Sequence, residues 1–272
     1  MKFEIGAMSV GDILDRGLRL LLARLPTFFL INLIVLTPVL MFQLVSPVLI
    51  TGQPGQAQIL ALMGSSLAIV LLNLILSPIG TAAALHVIAQ EFIDQRVGIG
   101  SAFAFAFRRF LTLLLATMTN GLVVLLGCTA CCVPGLFFLV LFAFVSQVVV
   151  LEGLGVFQAF QRSLELTRGF RWRLLGVFLL LFAILIASGL VQSLLQRILP
   201  GMEQVTTPGQ MPVFVLRSFP NHVIHTVIGF LLNTLAQTYL SVCLTLFYFD
   251  LRIRKEGFDL EMAARQQSTI SS

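Results

Sequence analysis

The sequence has few charged residues and long stretches that contain none. Asp, Glu, Lys and Arg make up 11% of its 272 residues, whereas hydrophobic residues make up 58%. Soluble proteins carry roughly 25% charged residues. A soluble chain of this length could not bury so much apolar side chain, because surface area falls too slowly with size. The composition therefore predicts an integral membrane protein.

Motifs for catalysis and cofactor binding are also missing. We find no G-x-S-x-G, no H-E-x-x-H and no phosphate-binding glycine loop. No charged residue interrupts the apolar runs, where ion-coupled transporters usually place one. The net charge is +5, but no basic domain with a nucleic-acid-binding motif accompanies it. We therefore expect a non-enzymatic protein with no cofactor and no nucleic-acid partner.

Residues that could bind a metal are few. The chain has 4 cysteines and 3 histidines. A structural metal site needs about four ligands close together. The cluster of Cys128, Cys131 and Cys132 and the pair of His222 and His225 each provide fewer. We interpret both groups as packing residues. A disulfide bond within the cysteine cluster is the alternative. The candidates are Cys128, Cys131, Cys132, Cys243, His222 and His225.

Six charge-free runs are long enough, or nearly so, to cross a bilayer as helices, which takes about 20 apolar residues. Between the third and fourth runs, Pro134 and Gly135 predict a helical hairpin, because proline disfavours helix continuation and glycine permits a tight turn. One long kinked helix is the alternative. The fold class is therefore all-α, a polytopic transmembrane bundle. The predicted spans lie near residues 27–50, 59–86, 110–132, 135–151, 174–196 and 223–249.

Basic residues predict the orientation of these spans. The chain has 17 Lys and Arg residues, and six spans with a cytoplasmic N-terminus place all of them except Arg197 and Arg217 in the cytoplasm. This matches the positive-inside rule. We therefore expect both termini in the cytoplasm, one transmembrane domain over residues 1–260, and a flexible cytoplasmic tail at 261–272. Basic residues beside the spans also predict contact with membrane lipids, including anionic lipids of the inner leaflet.

An amphipathic helix is predicted before the first span, at residues 9–25. Its apolar residues, Leu18 and Leu21 among them, recur at steps of three and four, the period of an α-helix. Ser9 and Asp12 are spaced as an N-terminal cap. Such a helix is typical of the membrane surface, with its apolar face in the lipid.

Two further segments show similar patterns. In residues 156–168, the large apolar side chains Phe157, Phe160 and Leu164 share one face, opposite a polar face. A weaker pattern covers residues 101–110. We predict that both are interfacial helices on the cytoplasmic side.

A stripe of polar residues lies along one side of the last predicted span. Asn233, Gln237, Ser241 and Thr245 are four residues apart and so share one side of a helix. They could line a polar pathway or hydrogen-bond to neighbouring helices. Because no charged residue joins them, inter-helix bonding is the favoured interpretation.

Charged residues collect at the ends of the fourth and sixth spans. We predict that Glu152 and Asp250 neutralise arginines of the segment between the fourth and fifth spans, with Arg162 or Arg168 as the partner of Asp250. Arg171 and Arg173 are expected to reach lipid phosphate beside Trp172 instead. The predicted ionic cluster comprises Glu152, Arg162, Glu165, Arg168, Asp250, Arg252 and Arg254.

The same segments carry a family resemblance. VLEG at 150–153, AFQRSLELTRG at 159–169, RLLG at 173–176 and YFDLRIRKEGFDL at 248–260 resemble the membrane domain attached to some bacterial glycerophosphodiester phosphodiesterases. That domain also occurs alone. The resemblance implies a protein of the bacterial cytoplasmic membrane with about six helices. The catalytic part of those enzymes is a separate soluble barrel with metal-binding acids, and only 12 residues follow Leu260, so phosphodiesterase activity is not expected.

These features favour a membrane anchor or an accessory scaffold subunit of a membrane or envelope assembly, with another membrane protein as its partner. The alternative is a transporter or lipid-handling protein that uses the polar stripe.

Overall fold

The computed structural model describes residues 8–50, 55–92, 98–130, 132–205 and 213–256. The predicted tail at 261–272 lies outside these residues. A π-helical turn, Val148–Glu152, continues α6. The helices are α1 Val10–Ala23, α2 Leu25–Ile50, α3 Gly55–Phe92, α4 Ile99–Ala130, α5 Cys132–Leu141, α6 Val145–Gln147, α7 Val156–Thr167, α8 Arg171–Ile198 and α9 Phe219–Glu256.

Within the described residues, six helical stretches are long and apolar enough to cross a membrane. The predicted helical architecture with six long apolar segments is therefore confirmed. The helices extend beyond the charge-free runs, since backbone hydrogen bonds continue past the apolar core. The stretches are Leu25–Val48, Gln56–Gln90, Ile99–Thr129, Pro134–Glu152, Arg171–Ile198 and Phe219–Glu256.

The described residues also include a pair of β-strands. Strands β1 Met202–Val205 and β2 Val213–Leu216 pair antiparallel, with Met202 opposite Leu216. They lie between α8 and α9, and the sequence analysis did not predict them. Valine and phenylalanine in β2 suit a strand, but four residues are too few to establish a period.

The chain divides into two compact units, and the boundaries fall inside α2, α3, α8 and α9. The first unit holds the charged helix ends. The second unit holds much of the apolar helix length and the two strands. The first unit comprises Met1–Phe28, Pro78–Leu181 and Thr238–Ser272, and the second comprises Phe29–Ser77 and Phe182–Gln237.

Helices α4 and α5 of the first unit pack against each other at two glycines. A Cβ atom added to Gly127 would lie 2.9 Å from the Cα atom of Gly135, and one added to Gly135 would lie 2.8 Å from the backbone nitrogen of Cys128. Only glycine permits this approach. The segment is thus a helical hairpin and not one long kinked helix. Pro134 belongs to the first turn of α5, where its missing N–H costs no helical bond.

Helix α1 begins with the predicted cap. The Ser9 hydroxyl accepts a hydrogen bond from the Asp12 backbone N–H at 3.2 Å, and the Asp12 carboxylate accepts one from the Ser9 N–H at 2.9 Å. The hydrogen bonds from Ser9 lower the pKa of Asp12 below its ordinary value. The cap therefore favours the ionised carboxylate.

One face of α1 is buried against protein. A Cβ atom on Gly17 would lie 2.8 Å from the sulfur of Cys243 on α9, so the two helices are in close contact. Leu18 and Leu22 are exposed instead. The predicted apolar stripe is thus divided between a face that is buried against protein and a face that is exposed. The prediction of contact with the membrane surface applies to the exposed residues, Leu18 and Leu22. The buried residues are Ile13, Gly17, Leu20 and Leu21.

Residues 101–110 do not form a separate helix. They are the first part of α4, which continues without interruption to Ala130. Ala102 and Ala106 are fully buried, as are Leu113 and Ala116 further along the same helix. No proline lies in this stretch, so the helix has no reason to stop between the two segments.

The buried face of α7 differs from the predicted apolar face. Phe157 is 85% exposed. Small side chains allow close helix packing, and three of the four buried residues of α7 are small. Phe160, which belongs to the predicted apolar face, is half-buried and packs edge-on against Phe142. The buried residues are Ala159, Ser163, Leu166 and Thr167.

Candidate functional site

The charged helix ends of the first unit form two ionic clusters. The Glu152 cluster consists of Glu152, Arg162, Tyr248, Arg252 and Glu256. The Asp250 cluster consists of Asp250, Arg173, Arg254 and the backbone of Met8.

The Glu152 cluster joins the π-helical turn, α7 and α9. The Arg162 Nε atom donates to both Glu152 carboxylate oxygens, at 3.0 and 3.2 Å, and its Nη2 atom donates to Glu256. The Tyr248 hydroxyl donates to Glu152 Oε1 at 2.6 Å. Arg252 Nε donates to Glu256 Oε2 at 3.0 Å. Two carboxylates therefore meet two guanidinium groups, and the charges balance.

Burial and pairing act in opposite directions on Arg162. Burial by itself lowers the pKa of its guanidinium, but the hydrogen bonds and charges of Glu152 and Glu256 raise that pKa above its ordinary value. The side chain of Glu152 is 15% exposed. The attraction between partly buried charges is screened less by salt than that between surface charges. The ion pairs of this cluster therefore hold α7 against α9.

Gly153 ends the π-helical turn that carries Glu152. Its φ of 72° lies in the left-handed region, which favours glycine. The Arg109 Nη1 atom, from α4, donates to the Gly153 carbonyl oxygen at 3.0 Å. A Cβ atom on Gly153 would lie 2.6 Å from Arg109 Nη2. The backbone conformation therefore favours glycine here, and an added Cβ atom would also displace the end of the Arg109 side chain.

Gly153→Ala should lower the free energy of unfolding by about 1–2 kcal/mol from backbone strain, and by a further amount from displacing Arg109. Thermal unfolding of the purified chain in detergent measures the sum. Gly169→Ala is the matched control, because Gly169 has φ of 90° but open space where its Cβ would lie. Equal losses in the two variants would show that the Arg109 contact contributes nothing.

Asp250 lies at the centre of the second cluster, and its side chain is 0% exposed. Arg173 Nη1 donates to its Oδ2 atom at 2.9 Å, and Arg254 Nε lies 3.1 Å from both carboxylate oxygens. The backbone N–H of Met8 donates to Oδ1 at 2.7 Å. The Met8 carbonyl in turn accepts from Arg254 Nη2 at 3.0 Å and from Arg173 Nη2. One carboxylate thus joins α8, α9 and the residue ahead of α1.

The structure corrects one predicted partner. Asp250 pairs with Arg173 and Arg254, so the prediction that Arg162 or Arg168 would be its partner is wrong. Helix α8 begins at Arg171, which brings Arg173 in its first turn beside the end of α9. Arg162 instead pairs with Glu152, so an arginine of the α7–α8 segment does neutralise each acid.

Two predicted members lie at the edge of the clusters. Glu165 is 70% exposed, and its Oε2 atom is 3.7 Å from Arg162 Nη1. Arg168 is exposed at the end of α7. Neither contributes to the buried pairs.

The predicted polar stripe on α9 does not form one surface. Asn233 and Gln237 are exposed, whereas Thr245 is fully buried. The Thr245 hydroxyl donates to the Ser241 carbonyl of its own helix at 2.7 Å. The stripe therefore divides into an exposed amide pair and an internally bonded threonine.

Ser163 is a buried polar residue that the sequence analysis missed. The fourth apolar stretch is interrupted between α5 and α6, and Ser163 of α7 lies at that interruption. Its hydroxyl donates to the Leu141 carbonyl at 2.8 Å and accepts from the Phe144 N–H at 3.3 Å. In the sequence, Ser163 lies four residues from Ala159 and four from Thr167, and this spacing indicates a face of small residues on a helix.

Other residues of the clusters were also missed. Tyr248 lies in the quoted segment at 248–260 without having been assigned a role, and Met8 contributes through its backbone. In the described ranges, no group of three or more His, Cys, Asp or Glu could hold a metal ion. The side chains of Cys131 and Cys132 lie outside the described set.

A family described as "Domain of unknown function (DUF7847)" matches residues 8–251. The chain belongs to this family. The matched range includes both Met8 and Asp250, whose contact closes the second cluster. No curated protein and no solved structure matches the chain. The resemblance to the membrane domain of glycerophosphodiester phosphodiesterases stays a prediction, because the description of this family names no function.

Proposed function

We propose that the chain is a non-enzymatic, multi-pass protein of the bacterial cytoplasmic membrane that acts as an anchor or scaffold for another membrane protein. Both termini would lie in the cytoplasm, and the basic loops would contact anionic lipids. The six long apolar helices support the membrane placement. The distribution of Lys and Arg supports the orientation.

The exposed amide pair carries the scaffold proposal. Asn233 and Gln237 are four residues apart on α9, a helix of 38 residues that begins at Phe219. They are therefore near the middle of that helix, on one face, and both are exposed. A side-chain amide at the bilayer centre is costly unless it is hydrogen-bonded. A helix of another protein is the partner that would supply those bonds.

The same exposure favours a scaffold over a transporter. A pathway lining would need the two amides to face the interior of the helix bundle. The carboxylates that could exchange protons, Glu152 and Asp250, are each held by arginine. Both clusters therefore suit a rigid support better than a moving carrier.

The test is a pull-down of the tagged chain from its membrane in native lipid nanodiscs. N233L/Q237L should weaken retention of the partner protein by roughly eightfold, since two interhelical hydrogen bonds contribute about 0.6 kcal/mol each. Asn73→Leu is the control, because the Asn73 amide already donates to the Ile69 carbonyl of its own helix at 2.9 Å.

Retention of the same partner by N233L/Q237L would overturn the role of the amide pair. Recovery of nothing but further copies of this chain would replace the scaffold with a homo-oligomer. Loss of the partner in Asn73→Leu as well would indicate a general packing defect and would also contradict the proposal.

A further inference from the structure

Two arginines of the α7–α8 segment differ from their neighbours. Arg162 and Arg173 belong to the ionic clusters. Arg168 and Arg171 are exposed, and within the described part of the chain neither forms an ion pair with a carboxylate. The Arg171 guanidinium lies 5.5 Å from the centroid of the Phe137 ring. Two guanidinium groups at this helix junction are thus available to an anion.

Both arginines line one open cavity, of about 590 Å³. Gly169 joins α7 to α8 with φ of 90°, and a Cβ atom on it would meet nothing within 4 Å. The junction at Gly169 brings Arg168, which follows the last residue of α7, and Arg171, the first residue of α8, to the same space. The lining residues are Leu164, Glu165, Arg168, Gly169, Arg171 and Trp172.

The cavity carries a net positive charge. Its one carboxylate, on Glu165, is opposed by two guanidinium groups and lies 3.7 Å from Arg162 Nη1. The Lys255 ammonium is also near, since it donates to the Glu165 backbone carbonyl. A group with negative charge is therefore the ligand that this space favours.

Aromatic side chains indicate the depth of the cavity in the membrane. Trp172 lines it and is 86% exposed, and Phe157 at the start of α7 is 85% exposed. Exposed tryptophan at the end of an apolar helix is typical of the membrane–water interface. The cavity would thus lie at the level of lipid headgroups.

We propose that this cavity binds the phosphate group of an anionic phospholipid, held by Arg168 and Arg171, with Trp172 beside the upper acyl chain. Guanidinium groups bind phosphate oxygens in a bidentate manner. The inference rests on the membrane placement proposed above and not on the scaffold role.

Trp172 makes the test direct, because the chain has 1 tryptophan. The full chain in a non-ionic detergent is titrated with phosphatidylglycerol or phosphatidylcholine that carries brominated acyl chains, and quenching of tryptophan fluorescence is measured. Both lipids carry the phosphate, but the choline ammonium of phosphatidylcholine would lie near two guanidinium groups, and like charges repel. Phosphatidylglycerol should therefore quench at about tenfold lower mole fraction. R168Q/R171Q should remove that preference.

R19Q/R108Q is the matched control, because it removes two exposed arginines elsewhere and should keep the preference. Equal quenching by the two lipids in the unmodified chain would overturn the proposal. So would loss of the preference in R19Q/R108Q. If inorganic phosphate at constant ionic strength relieves the quenching, the site takes free phosphate and the lipid assignment is wrong. N233L/Q237L should quench like the unmodified chain, which separates this test from that of the scaffold.

Discussion

Replacing Asp250 by asparagine should lower the free energy of unfolding by about 3–5 kcal/mol, the usual effect of removing one partner from a buried ion pair. The substitution would leave Arg173 and Arg254 facing each other without a counter-charge. Thermal unfolding in detergent and in lipid nanodiscs measures the loss. Asp15→Asn is the control, because the Asp15–Arg19 pair is 58% and 67% exposed and should contribute about 0–1 kcal/mol.

A double-mutant cycle identifies the partner. Asp250→Asn with Arg173→Gln should lose less stability than the sum of the two single variants, because either substitution alone already removes the ion pair between the two residues. Arg173→Gln alone should cost less than Asp250→Asn, since Arg254 still pairs with the carboxylate. The cycle with Arg168→Gln should be additive. Additivity with Arg173 and coupling with Arg168 would contradict the described geometry.

Ser163→Ala is expected to have an effect of similar size. It would strand the Leu141 carbonyl and the Phe144 N–H at the interruption of the fourth apolar stretch. Each buried unsatisfied group costs about 1–3 kcal/mol, so the loss should be roughly 2–6 kcal/mol. Backbone groups freed within a membrane helix must find partners in the protein, because lipid offers none.

Ser65→Ala provides the comparison for that experiment. The Ser65 hydroxyl donates only to the Leu62 carbonyl of its own helix, at 2.9 Å, so its removal should change the free energy of unfolding by less than about 1 kcal/mol. Similar melting temperatures for the two variants would show that Ser163 does not support the interruption.

The long helices were predictable because the bilayer sets a minimum length for an apolar segment. A charge-free run of that length is visible without knowing what it packs against. The hairpin at Gly127 and Gly135 was likewise indicated by the neighbouring Pro134. The predicted helix ends were less accurate. Arg171, at the start of α8, and Glu256, at the end of α9, both lie beyond the apolar core of their helix.

The packing of α7 could not be read from its hydrophobic pattern. In a soluble helix the large apolar face is the buried one. Here Phe157 is exposed and the small residues Ala159 and Ser163 are buried. A helix beside a membrane has two apolar surroundings, lipid and protein, and periodicity alone does not separate them.

The partner of Asp250 depended on geometry that spans most of the chain. Arg173 is 77 residues away from it and Met8 is 242 residues away. Among these contacts, the i,i+4 pair of Asp250 with Arg254 is local, and a spacing of four residues on a helix favours such a pair. A backbone contact such as that of Met8 has no sequence signal, because every residue carries the same amide group.

The Asp250 cluster also constrains the order in which the protein can be assembled. The ribosome makes Met8 first, Arg173 much later and Asp250 last. Until the final helix has been synthesised and inserted, Arg173 lacks its carboxylate and α1 lacks the contact that secures its first residues. Helix α1 can therefore dock against α9 only after nearly the whole domain has been synthesised. A nascent chain truncated before Asp250 should accordingly leave α1 open to proteases.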